Sequence, residues 1–138
     1  MSARMLARRA LPWLLVVVAG LLAAWLRYGL VQPPALAHRC AAGGPAWCPL
    51  RELAVRGFLS YAYGWAALAA AALALLWRRA AVAWLAAALG AFALVMYCAD
   101  GGAPALLVGC LVLLRCQSAG ATPVDPDRRG GAQAQRQP

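Results

Sequence analysis

The residues best suited to chemistry lie together between Ala37 and Glu52, in the stretch AHRCAAGGPAWCPLRE. It contains the chain's only histidine, His38, and two of its five cysteines, Cys40 and Cys48. Two cysteines separated by seven residues that include two glycines and a proline can close a small ring in an oxidising compartment. We therefore predict a disulfide between Cys40 and Cys48 that orders this stretch.

The same pair of cysteines also allows a redox interpretation. Disulfide-oxidising quinone reductases of the bacterial inner membrane are small four-helix proteins with cysteine pairs outside the membrane. Their attacking pair is typically a C-x-x-C, in which the short spacing lowers the pKa of one thiol. Here the spacing is CAAGGPAWC, and Cys98 is alone near the outer end of the third apolar run. The structural disulfide is the favoured interpretation, and the redox enzyme is the alternative.

Other reaction chemistry finds little support in the sequence. His38, Cys40 and Cys48 offer three zinc ligands, but structural zinc needs four, and no second close pair of ligands follows. The chain has one histidine and four acidic residues, and it contains no glycine-rich phosphate loop, Ser/His/Asp set or paired carboxylates. We expect no metal and no cofactor, and the composition weighs against an enzyme.

Arg27 is the ionisable residue of greatest interest within an apolar run, because it ends the first run inside WLRYGLV. A charge near hydrocarbon is costly and needs a partner, water or lipid headgroups. Asp100 is the only acidic residue at a comparable depth, so an intramembrane ion pair between Arg27 and Asp100 is one interpretation. The other is that Arg27 extends to the headgroups beside Tyr28 and Trp25.

The elements that must position these residues are membrane helices. The chain has 138 residues, of which 64% are hydrophobic, and its mean hydropathy is +0.68. Soluble domains are roughly 45–50% apolar. Four apolar runs predict helices at about 10–31, 57–77, 80–98 and 101–117. We predict an all-α integral membrane protein with a four-helix transmembrane domain over residues 1–116 and a disordered cytoplasmic tail over 117–138.

Two of these four runs allow another interpretation. The first has the basic start of a signal peptide, and ALA at 35–37 resembles a cleavage site. The run is long for a signal peptide, and Arg27 separates it from that site, so an uncleaved anchor is favoured. The last run is short, and it spans fully only if the helix continues past Arg115 toward Ala119; a half-inserted segment is the alternative.

Orientation follows from the arginines, because short arginine-rich loops stay in the cytoplasm. Nine of the 13 basic residues fall on the side of the N-terminus, the turn at Arg78 and Arg79, and the tail. This asymmetry predicts cytoplasmic termini and one 25-residue periplasmic loop, Gln32 to Arg56. The absence of Lys, Asn and Ile indicates a GC-rich, bacterial genome. The predicted location is the bacterial inner membrane.

The partners expected from the sequence are the lipid bilayer and other membrane proteins or a second copy of the chain. Small residues four apart, such as Ala66 with Ala70 and Ala86 with Gly90, permit close helix approach in lipid. Despite the net charge of +9, the arginines lie at the ends of apolar runs, which argues against nucleic acid. The favoured function is a non-enzymatic structural or accessory subunit. The alternatives are the thiol-redox enzyme and an oligomeric small-solute transporter.

Overall fold

The computed structural model of the protein describes residues 3–120, and this part of the chain is helical, with no β-strand. Helix α1 (Ala3–Leu26) continues directly into a π-helical segment (Arg27–Val31). The remaining helices are α2 (Pro34–Ala41), α3 (Cys48–Leu59), α4 (Ala62–Trp77), α5 (Ala80–Val95) and α6 (Ala99–Ala119). The predicted all-α class is confirmed.

Two helices in the described part of the chain are long and apolar enough to cross a membrane. They are the continuous helix Ala3–Val31, with a mean hydropathy of 2.1, and Ala99–Ala119, with 1.5. Helices α3 and α4 make a third span if the pair, bent by 66°, is counted as one. Helix α5 is apolar but has only 16 residues. These helices indicate a membrane protein, and four crossings stay a prediction.

The predicted periplasmic loop, Gln32 to Arg56, consists largely of two short helices. A proline lies in the first turn of each of its helices, where the missing N–H of proline would have no partner within the helix. The second of them, α3, runs on to Leu59, so the predicted helix over 57–77 is divided. The division occurs at Tyr61, whose φ of 57° lies in the left-handed region.

The predicted boundaries at the C-terminal end also shift. Helix α5 ends at Val95 instead of 98, and α6 begins at Ala99 instead of 101. Residues 117–119 of the predicted tail continue α6, as the longer form of the fourth run requires. The predicted disorder from residue 121 onward lies outside the described residues.

The core is made by α4, α5 and α6, and its buried side chains are mostly alanine. Glycines let the backbones approach closely: a Cβ on Gly90 would lie 2.5 Å from the backbone nitrogen of Leu106. Of the predicted small pairs, Ala86 and Gly90 are both buried, whereas Ala66 is exposed. Close approach of small residues replaces large side-chain packing in this core.

Two ends of the bundle are distinguished by their contacts. One end, which we call the basic end, contains the start of α1, the α4–α5 turn and the end of α6. There the carboxamide nitrogen of Gln117 donates to the carbonyl of Arg9 at 3.0 Å, and the thiol of Cys116 lies 3.1 Å from the carbonyl of Arg78. At the other, which we call the loop end, the π-helical segment meets α3 and the α5–α6 turn.

Candidate functional site

The predicted cysteine pair lies at the loop end. The structure joins Cys40, near the end of α2, to Cys48, the first residue of α3, in a disulfide with a Cα–Cα distance of 5.5 Å. This separation lies within the usual range for disulfides. The bond therefore connects two short helices that lie next to each other in sequence. His38 is exposed on α2.

Two glycines explain how so short a ring closes. Gly43 has φ +82°, a left-handed conformation that side chains rarely adopt. A Cβ on Gly44 would lie 2.6 Å from the carbonyl oxygen of Arg39 and 3.0 Å from the sulfur of Cys48. The pair of glycines therefore supplies both the turn and the space that the disulfide needs.

Arg51 connects α3 to the end of the first helix through two hydrogen bonds. Its Nε donates to the carbonyl of Leu30 at 3.1 Å, and its Nη2 donates to the carbonyl of Val31 at 3.3 Å. The last carbonyls of a helix have no partner within the helix, so a guanidinium at this position satisfies them and opposes the negative end of the helix dipole. Disulfide, α3 and π-helical segment thus form one connected unit.

Arg27, the first residue of the π-helical segment, makes the main polar contact between that segment and the bundle. Its Nη1 donates to the carbonyl of Val95 at 2.7 Å. The guanidinium carbon lies 3.4 Å from the centre of the Tyr97 ring and 5.2 Å from that of Tyr28. A cation over an aromatic face is attracted by the ring quadrupole, and because both tyrosines are 60% exposed, this contact lies at the surface of the bundle.

The structure does not bring Arg27 and Asp100 together as an ion pair. Among residues 3–120, the recorded ion pair joins the exposed side chains of Arg56 and Glu52. Asp100 is exposed in the first turn of α6, where a carboxylate opposes the positive end of the helix dipole. Arg27 instead contacts the rings of Tyr28 and Tyr97, and the ring of Tyr97 lies closer.

The chemistry available at the loop end is limited. Beside Arg27 lies a cavity of about 80 Å³ lined mainly by apolar side chains, among them Phe58 and Met96. The Nε of Arg27 is buried without a hydrogen-bond partner in the described structure. No three His, Cys, Asp or Glu side chains within residues 3–120 lie close enough to hold a metal ion. The arrangement is suited to fixing helices against each other.

The remaining cysteines lie apart from the disulfide in the chain. Cys98 is buried in the α5–α6 turn, and Cys110 is half-buried on α6. Cys116 is half-buried at the basic end, in contact with the α4–α5 turn. None of the three is in a disulfide.

Three residues with structural roles were missed by the sequence analysis. Tyr97 is in the left-handed region, with φ 65°, and presents its ring to Arg27. Arg51 lies within the predicted loop, Gln32 to Arg56, where no pattern in the sequence indicates its contact with the first helix. Gln117 was assigned to the tail, yet its carboxamide accepts from the indole of Trp13 at 3.3 Å and donates to the carbonyl of Arg9. A polar residue directly after an apolar run was the available signal for Gln117.

Comparison with known proteins gives no relative. No protein-family profile matches the chain, and no curated protein or solved structure matches it either.

Proposed function

We propose that this chain is a small multi-pass protein of the bacterial inner membrane that serves as a non-enzymatic structural or accessory subunit. In this proposal it crosses the membrane four times, with both termini in the cytoplasm. Helix α5, whose 16 residues rise about 24 Å, crosses between α4 and α6, both of which it contacts. The arginines gathered at the basic end support the cytoplasmic assignment of that end.

The observation that carries the accessory role is the position of α1. This helix packs mainly against α5, and it leaves a long apolar face uncovered. Leu14, Leu21 and Trp25 on that face are 60%, 64% and 70% exposed. This face does not contribute to the core of α4, α5 and α6. It is therefore available to lipid and to a neighbouring membrane protein without any change in that core.

The chemical content of the bundle also favours this role over catalysis. No polar or charged residue in the described part of the chain is fully buried. The core instead consists mainly of alanine and glycine contacts, which fix helix positions, and the thiol of Cys98 is the one reactive group among the buried side chains of residues 3–120. The polar contacts at the two ends of the bundle, made by Arg27, Arg51 and Gln117, each join one helical element to another.

Site-specific photo-crosslinking in living cells tests the accessory role. A photoreactive residue at Leu21 on α1 is compared with one at Leu111 on α6, because the two side chains are 64% and 61% exposed. We expect protein adducts of one defined mass at Leu21 and none at Leu111. Adducts with lipid alone at Leu21, or the same proteins at both positions, would contradict a partner at α1.

A further inference from the structure

A groove at the basic end has the features of a ligand site. It lies between the start of α1, the start of α5 and the end of α6, and its volume is about 310 Å³. Ligand sites occupy roughly 300–1,000 Å³. Its walls are almost entirely apolar and include Pro12, Trp84 and Leu113, and Arg8 and Arg9 also line it. A ligand for this groove needs an apolar part, and the exposed Arg8 and Arg9 favour a negatively charged part beside it.

Within residues 3–120, no acidic side chain balances the charge at this end. Arg8 and Arg9 are exposed, and among residues 3–120 the acidic side chains are Glu52 in α3 and Asp100 at the start of α6. Both of these acidic residues belong to the loop end. Arginines beside an apolar groove between membrane helices favour the phosphate of an anionic lipid headgroup.

Trp84 supplies an independent observation. The indole Nε1 of Trp84 is buried and has no hydrogen-bond partner in the described structure, and Trp84 is among the residues that line the groove. A buried N–H without an acceptor costs free energy, so an occupant is favoured when a small turn of the indole brings this N–H to an acceptor in the groove. The contrasting case is Trp13, whose indole is satisfied by Gln117.

The position of Trp84 along the membrane normal indicates which lipid group can accept a hydrogen bond from its indole. Trp84 lies five residues beyond Arg79, which is about 7.5 Å along the helix at 1.5 Å per residue. The interfacial layer between the outer edge of the headgroups and the hydrocarbon is of the order of 5–8 Å thick. When Arg79 is at the outer edge of the headgroups, the backbone of Trp84 is therefore at the inner edge of this layer, where the ester carbonyls of lipids lie.

We propose that this groove binds one anionic phospholipid. Its phosphate pairs with Arg8 and Arg9, an ester carbonyl accepts from the indole of Trp84, and an acyl chain lies along Pro12 and Leu113. A helix of a second protein fits less well, because its backbone acceptors are already used within the helix. The site requires a membrane location but neither the proposed orientation nor an accessory role.

Native mass spectrometry of the full-length protein in detergent tests this site. The protein is titrated with phosphatidylglycerol and, separately, with phosphatidylcholine carrying the same acyl chains. We expect the first phosphatidylglycerol to bind roughly tenfold or more tightly than the first phosphatidylcholine, since each basic side chain adds to the attraction for anionic lipid. Arg8→Gln with Arg9→Gln is expected to reduce this preference to about twofold or less.

Two matched controls separate the groove from general charge attraction. Arg39→Gln with Arg56→Gln removes the same charge at the loop end, and the preference for phosphatidylglycerol is expected to persist. Trp84→Phe keeps an apolar ring but removes the N–H, and it should weaken both lipids about equally, whereas Trp65→Phe on the exposed face of α4 should weaken neither. Equal binding of the two lipids by the unaltered protein overturns the proposal. Equal losses in the two arginine variants, or a dimer that excludes lipid, also overturn it.

Discussion

Arg27 and Val95 are joined across 68 positions of the chain by a hydrogen bond of 2.7 Å from a guanidinium nitrogen to a main-chain carbonyl. The carbonyl belongs to the last residue of α5, where helical partners end. The bond connects the π-helical segment to the α5–α6 turn, and the ring of Tyr97 covers the same guanidinium. The end of the first helix is thereby fixed by a side chain that the sequence presents as a charge within an apolar run.

Removing this guanidinium should lower stability. Arg27→Gln loses a charged hydrogen bond and the ring contact, so we expect the free energy of unfolding in detergent to fall by about 1.5–3 kcal/mol. Arg27→Lys keeps the charge but not the planar guanidinium. Its free energy of unfolding should therefore lie between those of the unaltered protein and Arg27→Gln. Thermal unfolding of the purified protein measures the effect.

Double-mutant cycles identify the partner of Arg27. Tyr97→Leu and Arg27→Gln should be non-additive, because they remove the same contact. Asp100→Asn should change stability little, and its effect should add to that of Arg27→Gln within about 0.5 kcal/mol. A coupling energy of about 1 kcal/mol or more between Arg27 and Asp100 would instead support an ion pair between them.

Glycine substitutions test the close packing of α5 against α6. Gly90→Ala would place a Cβ 2.5 Å from a backbone nitrogen of Leu106, so the helices must separate. Such overpacking costs about 1–3 kcal/mol, and the melting temperature in detergent should fall. Gly20→Ala on α1 is the control, since nothing lies within 4 Å of its added Cβ and alanine favours helix. Equal losses in the two variants would refute the close contact.

The sequence predicts the features that depend on local pattern. Apolar runs and the arginines that flank them can be read directly from the sequence. They predict the helical class and the turn at Arg78 and Arg79. The Cys40–Cys48 spacing, with its glycines, predicts a ring that the structure contains. These signals are local because hydrophobic length and ring closure depend on neighbouring residues.

The features that the sequence does not predict depend on contacts between distant segments. Tyr97 lies 70 positions from Arg27, and no pattern within either segment records that they meet. The break at Tyr61 has the same origin, because its hydroxyl accepts the backbone N–H of Gly101 at 2.9 Å. That long-range contact offsets part of a left-handed φ, which costs roughly 1–3 kcal/mol outside glycine.

The disulfide should order the loop end locally without being a redox centre. Cys40→Ser with Cys48→Ser releases α2 from α3, so trypsin should cleave after the exposed Arg39 faster than in the unaltered protein. Cleavage at the α4–α5 turn, after Arg79, serves as the internal control and should not change. Measured by alkylation trapping before lysis, the bond should be fully formed. A bond that cycles when a dithiol protein and a quinone are supplied would favour the redox enzyme instead.

Reporter fusions test the orientation of the bundle. A reporter active only in the cytoplasm should be active when fused after Arg79 or at Pro138, and inactive when fused after Ala46. The physical reason is the arginine asymmetry, since the basic end holds Arg8, Arg9 and the α4–α5 turn, and translocating such a cluster is unfavourable. Activity after Ala46 would reverse the orientation. Inactivity at Pro138 alone would mean that α6 does not cross, which would reduce the bundle to three crossings.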